Sequence, residues 1–399
     1  MRLLRGFLGF LVGLLALNLL IALVVPEGWR GVVLFVEALL LMILLHEAGH
    51  FFTAKWFDIK VEEFFVGFGP RLWSTRRGET EYGIKAIPAG GYVRIAGMNP
   101  FQEPAPEDRD RIFGAKPAWQ RAIVLAAGSF THFVLAILLL ASLVAFLGVP
   151  VEGPPLVGMV EPRLSGRVSP ATSSGMEEGD QIVEVNGEPI DSSEELVEIT
   201  SGSEGQEMVI VVVRDGERVT LRATPVLDEI QGEQVARLGI RLELPRETEP
   251  IHLALWRGIE GTGEIAVESF KALGRVFSPS GLARIGELVT GQAERSVEDP
   301  LSIVGAGRLA GQAASTDNYD ILLAFLAALN VFVGIVNILP LPPLDGGHLA
   351  VLAWEKVSGR KVDMARLIPL TAAVAGLLIL LTLALAYLDV ANPVPDPFR

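Results

Sequence analysis

The chain has 399 residues, no cysteine, 33 basic against 47 acidic side chains and a formal net charge of −14. Half of its residues are hydrophobic and only 20% are charged, against about 25% charged in an average soluble domain. The missing cysteine excludes disulfides, thiol nucleophiles and Cys-ligated metals, and the acidic balance lacks the basic footprint of a nucleic-acid binder.

About 20 mostly apolar residues cross roughly 30 Å of hydrocarbon. Five stretches reach that length: residues 3–25, 32–57, 122–149, 321–341 and 367–388. The first follows Arg2 and Arg5, as a secretory signal would. It is too long for one, and Val24-Val25-Pro26-Glu27 is a poor cleavage site, so a retained span is expected over residues 1–30. The second carries Glu37, His46, Glu47 and His50. Ionisable groups in a span cost at least roughly 2.5–3.5 kcal/mol each, so they usually mark function. His46-Glu47-Ala48-Gly49-His50 matches H-E-x-x-H. On a helix, positions i and i+4 share a face, so both imidazoles can reach one metal, and Glu47 stands beside them to take a proton from water. Zinc is the expected ion.

Residues 151–246, after the third span, read as a β-rich module. Val209–Val213 is a β-branched run, Asp215-Gly216 a turn, and Asn186-Gly187 another tight-turn signal. The run from Ser169 to Ile190 resembles the PDZ domain in its bacterial, rearranged form. That resemblance implies a groove strand, placed here at 157–160, that accepts an extended peptide by strand addition; a spacer or size filter is the other reading. Residues 247–320 read as amphipathic helices, at 253–274 and 282–290, or as a structured linker.

The metal needs a third protein ligand and an open position. His252 lies in the outer loop and reads as a surface residue. Asp345 is the better candidate, closing Asn337-Ile338-Leu339-Pro340-Leu341-Pro342-Pro343-Leu344-Asp345-Gly346-Gly347 at the end of the fourth span. Three prolines stop the helix and two glycines permit a turn back toward the metal. An ordinary helix exit with a solvated aspartate is the alternative.

Basic residues near span ends set orientation. Residues 55–117 carry ten Lys or Arg, whereas the longer segment 149–320 carries fourteen beside thirty acids. The expected topology places the N-terminus, residues 55–117 and residues 342–363 in the cytoplasm, and the β-rich module outside.

H-E-x-x-H in one span, N-x-x-P-x-P-x-L-D-G in a later one and a PDZ-like module between them resemble the site-2 proteases, most closely the bacterial regulator-of-sigma-E type. The resemblance implies a polytopic α-helical membrane protein. Its four-helix core comes in two parts, residues 31–150 and 321–399. To these are added the extra N-terminal span, a cytoplasmic-side re-entrant β-hairpin at about 61–97 and the extracytoplasmic PDZ-like domain. It implies zinc held by His46, His50 and Asp345, with Glu47 as general base. Asn337 would hold substrate or the developing oxyanion, or else make a helix–helix hydrogen bond. Pro300–Gly305 matches a segment that the family places before the aspartate-bearing span. One departure falls in the third span, where His132 replaces an expected Asn in Gly128-Ser129-Phe130-Thr131-His132. His132 would then hydrogen-bond in place of that Asn or act as a fourth metal contact.

The implied activity is hydrolysis of transmembrane protein substrates, such as anti-sigma factors or remnant signal peptides, within the bacterial cytoplasmic membrane and after trimming of their outer domains. The partners implied are those substrates, the lipid bilayer and a peptide ligand of the PDZ-like domain. A catalytically inactive, membrane-anchored PDZ scaffold is the competing reading. A metal transporter would need further ligand clusters or inverted repeats, and the sequence has neither.

Overall fold

The apolar run around His46 folds as a single helix, α1 (Glu27–Trp56). It ends where Asp58 turns into the left-handed region at φ 50° and the Ile59 N–H closes onto the Ala54 carbonyl, a common way to satisfy the last carbonyls. The computed structural model describes residues 24, 25, 27–98, 105–230, 233–296, 298–315 and 319–394. The predicted span at 3–25 lies almost wholly outside the described residues.

A long hairpin follows, β1 (Val61–Arg77) and β2 (Thr80–Ile95). It curls on itself. Residues 63–66 pair with 91–94 on one flank and with 81–84 on the other, while 71–77 pair with 80–85. The curl explains why alternation along 82–87 is imperfect: part of this hairpin has neighbours on both edges. Next, α2 (Ala118–Ser142) starts directly after Pro117 and runs into a π-helical turn at Leu143–Leu147.

Residues Val144–Pro250 form a compact unit of their own. Its main strands are β3 (Leu156–Val160), β4 (Gln181–Val185), β5 (Met208–Arg214), β6 (Glu217–Ala223) and β7 (Ile240–Glu243), with helix α3 (Ser193–Gly202) between β4 and β5. The sheet order is β6-β5-β4-β3-β7. Val157, Ile182, Met208, Ile210 and Leu196 are buried at its centre. The expected groove strand at 157–160 is corrected here. β3 is interior in the sheet order, paired with β7 along its length and meeting β4 at Leu156–Gln181. β7 ends the sheet order on the β3 side, and β6 ends it on the other. A cleft of about 300 Å³ opens between α3 (Leu196, Val197, Thr200) and the chain leading into β7 (Arg237, Gly239, Ile240).

The other unit comprises Met1–Leu143 and Ile251–Arg399. Beyond the β-rich unit it contains α4 (Ile251–Val276), α5 (Pro279–Val289), α6 (Ile303–Ser315), α7 (Tyr319–Ile338), α8 (Asp345–Ser358) and α9 (Ile368–Ala391). α4 lies against α2 at Gly258, where a Cβ would come 2.5 Å from the Ile137 carbonyl oxygen. Its Ile265 and Leu273 pack onto Ala327 and Val331 of α7. Asp389 of α9 is buried against Arg295 at 2.7 Å and accepts the Ser302 and Gly305 amides, which pins residues 300–305. Arg30–Trp56, Ala118–Leu147, Asp320–Ile338 and Ala365–Ala391 are each long and apolar enough to cross a membrane. They coincide with the last four predicted spans.

Candidate metal centre

One helical turn separates His46 from His50 on α1, and their Nε2 atoms stand 3.2 Å apart. Asp345 reaches them from the start of α8. Its Oδ2 lies 3.5 Å from His46 Nε2 and 3.3 Å from His50 Nε2. The chain gets there because Pro340, Pro342 and Pro343 end α7 at Ile338, and because α8 starts against the end of α7. A Cβ on Gly346 would strike the Ile338 carbonyl, and one on Gly347 would come 2.5 Å from the Pro342 nitrogen. Only glycine permits so close a return.

These three atoms fit zinc. A tetrahedral zinc with ligands about 2.05 Å away sets those ligands about 3.3 Å from one another. The observed edges are 3.2, 3.3 and 3.5 Å. The tautomers agree. His50 Nδ1 donates to the Val124 carbonyl at 2.7 Å, so in the neutral ring Nε2 carries a lone pair. That lone pair faces a carboxylate oxygen, Asp345 Oδ2, which is buried and without a hydrogen bond of normal geometry. Such an arrangement repels itself unless a cation lies between. His46, His50 and Asp345 are accordingly a group that could hold a metal ion.

Glu47 points to the hairpin side. A Cβ on Gly91 of β2 would lie 3.1 Å from Glu47 Cγ. The residues 91–94 thus pass directly beside the proposed base. His132, buried on α2, is not part of the three-atom cluster; its Nδ1 bonds Asn330 Oδ1 of α7 at 3.1 Å, and its ring centre lies 5.0 Å from that of His46. Asn337 sits half-buried in the last turn of α7, and no hydrogen bond ties its side chain to another described group. His252 is exposed at the start of α4. His348, one turn beyond Asp345, lines a cavity of about 190 Å³ with Arg121 and Glu355.

Sequence reasoning missed two contributors. Gly128 of α2 backs onto both histidines: a Cβ there would collide with His50 Nε2 and lie 2.6 Å from His46 Cε1. The second is Asn330 of α7, which bonds His132; a lone amide in an apolar run carries only a weak signal by itself.

Comparison with known proteins agrees with this geometry. The profile of Peptidase family M50 matches residues 34–383. Zinc metalloprotease Rip1 of Mycobacterium tuberculosis (strain H37Rv) is 34% identical over 404 residues, covering 91% of this chain and 98% of that protein. Zinc metalloprotease Rip1 of Mycolicibacterium smegmatis is also 34% identical, with the same coverage.

Proposed function

Because the chain belongs to peptidase family M50, the site-2 proteases, and is a zinc metalloprotease of the membrane, we propose that it cuts peptide bonds within or beside the transmembrane segments of other membrane proteins. The observation that carries this reading is the three-atom cluster of His46, His50 and Asp345, set in a helix apolar enough to span. In this reading those residues hold zinc and Glu47 is the general base. Zinc, when bound, supplies a Lewis acid that polarises the scissile carbonyl and brings the pKa of water to about 7. Glu47 takes the proton of the attacking water and returns it to the leaving nitrogen.

A helical substrate hides its amides in internal hydrogen bonds, so it must unwind locally before it is cut. The curled hairpin, read as re-entrant, supports that step: residues 91–94 run past Glu47, where an unwound stretch could be held as an added strand. Asn337 near the end of α7 is assigned to substrate or oxyanion binding. The density of basic residues supports a cytoplasmic N-terminus and hairpin, with the β-rich unit outside. His46 then lies roughly 28 Å along α1 from its outer end at Glu27, nearer the cytoplasmic face. The β-rich unit is read as a PDZ-like domain, and the cleft between α3 and β7 supports peptide capture by that module. Prior trimming of the substrate ectodomain fits the bulk of such a module outside. Anti-sigma factors and remnant signal peptides are the substrate classes proposed. No observation favours a scaffold that holds clients without cutting them.

The test uses the full chain in lipid, with zinc content and cleavage of a model transmembrane peptide measured together. Glu47→Gln is expected to keep zinc and lose about 10²–10⁴-fold in turnover. A folded Glu47→Gln protein that still cuts would remove Glu47 as base. A wild-type protein that cuts without zinc would remove the metal assignment. Membrane-fragment proteomics of cells carrying wild type or Glu47→Gln would then identify substrates.

A further inference from the structure

Arg111, Arg214 and Arg237 are partly buried, and each meets carboxylate oxygens at 2.6–3.0 Å, close to the usual charge-assisted length of about 2.7–2.9 Å. Arg121, in the first turn of α2, is served far less well. Its side chain is about a fifth exposed, and its acceptor, Glu355 Oε2, stands off at 3.5 Å from Nη1. Its Nε is buried without a hydrogen bond. The Phe113 ring, 6.0 Å from the guanidinium carbon, offers a face but no lone pair. Glu355 is itself divided, since its other oxygen accepts the Val362 amide at 3.0 Å. Leaving a buried donor unmet costs about 1–3 kcal/mol, and more for a charged group.

This guanidinium lines the cavity of about 190 Å³ that also holds His348, Glu355 and Lys361, room for several waters of about 30 Å³ each. Two cations and an imidazole face one carboxylate, so the cavity favours an anion. It adjoins the metal centre from two sides. His348 follows Asp345 by three residues on α8, and side chains at that spacing are neighbours, about 5–6 Å apart at Cβ. Leu125, also in its wall, follows Val124, whose carbonyl takes His50 Nδ1.

Peptide hydrolysis makes an anion next to this cavity. The water oxygen joins the carbonyl carbon, the C–N bond breaks, the leaving nitrogen takes one water proton and the new acid gives up the other. With an α-carboxyl pKa of about 3.3–3.7 and an α-amino pKa of about 7.7–8.0, the products part at neutral pH as a carboxylate and an ammonium. We propose that Arg121, with His348 and Lys361 beside it, binds the carboxylate newly formed at the end of the N-terminal product. This rests on the reading of the chain as a peptide hydrolase. The substrate is neutral at that carbon, so the site selects product over substrate. Glu355, held off at 3.5 Å, is a weak internal acceptor that the product carboxylate outcompetes.

The test uses the full chain in lipid. Mass spectrometry of the model transmembrane peptide cut by the zinc-loaded protein identifies the N-terminal product, which is then synthesised with a fluorophore, once as the free acid and once as the C-terminal amide. Binding is read by fluorescence anisotropy after a chelator has removed zinc, so that no metal holds the carboxylate. Wild type is expected to bind the acid about 10–100-fold more tightly than the amide, the worth of a charge-assisted bond. Arg121→Gln should abolish that preference. Glu355→Gln, which frees Arg121, should enlarge it, and a misfolded protein would not give opposite shifts at two neighbouring residues. No preference in wild type, or an unchanged preference in Arg121→Gln, would overturn the proposal. Acetate that binds as tightly as the acid peptide would also overturn it, by making this a site for small anions. A model peptide left whole by the zinc-loaded protein would overturn the hydrolase reading and the carboxylate site with it; a peptide cut normally, whose acid and amide products bind alike, would overturn the carboxylate site alone.

Discussion

Asp180 in the β-rich unit and Asp345 in the helical unit are both acids taken largely out of water, and they are treated in opposite ways. Asp180 is fully buried and saturated. It accepts Arg214 Nε at 2.6 Å, Arg214 Nη2 at 2.7 Å and the Glu177 amide at 2.9 Å. Burial pushes its carboxyl up, but the Arg214 and Glu177 bonds outweigh this and hold it below its ordinary value. Asp345 instead turns an unsatisfied oxygen toward two imidazole nitrogens. Asp389, in the same helical unit, resembles Asp180: Arg295, Ser302 and Gly305 all serve it. The difference is therefore not between lipid and water but between jobs. A buried acid that locks structure is paired by the protein itself; one that serves a ligand is left incomplete.

The comparison breaks most sharply at Gly128. Any side chain there collides with both histidines, so Gly128→Ala should lower zinc affinity at least about 100-fold. A Cβ there pushes the ligands themselves aside, so the effect should exceed the loss of a hydrogen bond that only orients a ligand. Chelator competition measures it. Normal zinc binding by Gly128→Ala would mean that the helices separate easily, and the tight site described above would be wrong.

Next in size is the contrast between the two aspartates. Asp180→Ala removes two Arg214 bonds and the Glu177 amide bond, leaving Arg214 only Glu177 and the Gly175 carbonyl, and should destabilise the β-rich unit by about 2–3 kcal/mol, whether or not zinc is present. Asp345→Ala should cost zinc binding while leaving the stability of the metal-free protein within about 0.5 kcal/mol of wild type, since no hydrogen bond is lost. Denaturant titration with and without chelator separates them. Equal losses from both variants would erase the distinction.

Zinc itself sharpens the same point. At a free concentration 100-fold above its dissociation constant, it should stabilise the unit that binds it by about 2.7 kcal/mol. Hydrogen exchange should show slower opening around His46, His50 and Asp345 on metal addition and no change in residues 144–250. Protection that rose equally in both units would contradict a site confined to the helical one.

How far these features were legible depends on how local they are. His46, Glu47 and His50 could be read directly, because five consecutive residues on one helix define the geometry. Asp345 lies almost 300 positions away, yet its prolines and glycines announce a forced turn. Gly128 and the Val124 carbonyl could not be read from residue type, since a glycine and a main-chain oxygen carry no chemical label. They matter only because α2 crosses α1 there. The groove strand of the β-rich unit was misplaced for a related reason. Strand propensity locates β3 well enough, but sheet order decides which strand ends the sheet, and β7 does so by a long-range pairing with β3.

The smallest expected effect concerns the hairpin and is a matter of pH. Glu79, in the turn between β1 and β2, accepts Arg111 Nη1 at 2.7 Å and Nη2 at 3.0 Å, and is also bonded by Lys55. The Arg111 bonds contribute most, burial opposes them and Lys55 adds to them, holding the carboxyl at about 2 against an ordinary 4.5. A depressed folded value means stability that is complete above the unfolded value and is lost as the acid protonates. The hairpin should therefore be held fully above about pH 5 and loosen progressively toward about pH 2. Glu79 is about a quarter exposed, so screening by solvent should keep the effect to about 1 kcal/mol or less. Hydrogen exchange in residues 61–95 at pH 5 and pH 3 reads it directly. Glu79→Gln should flatten that dependence in the hairpin and leave the acid sensitivity of Asp180 in the β-rich unit untouched. A hairpin equally acid-sensitive in the Gln variant would remove Glu79 as the cause.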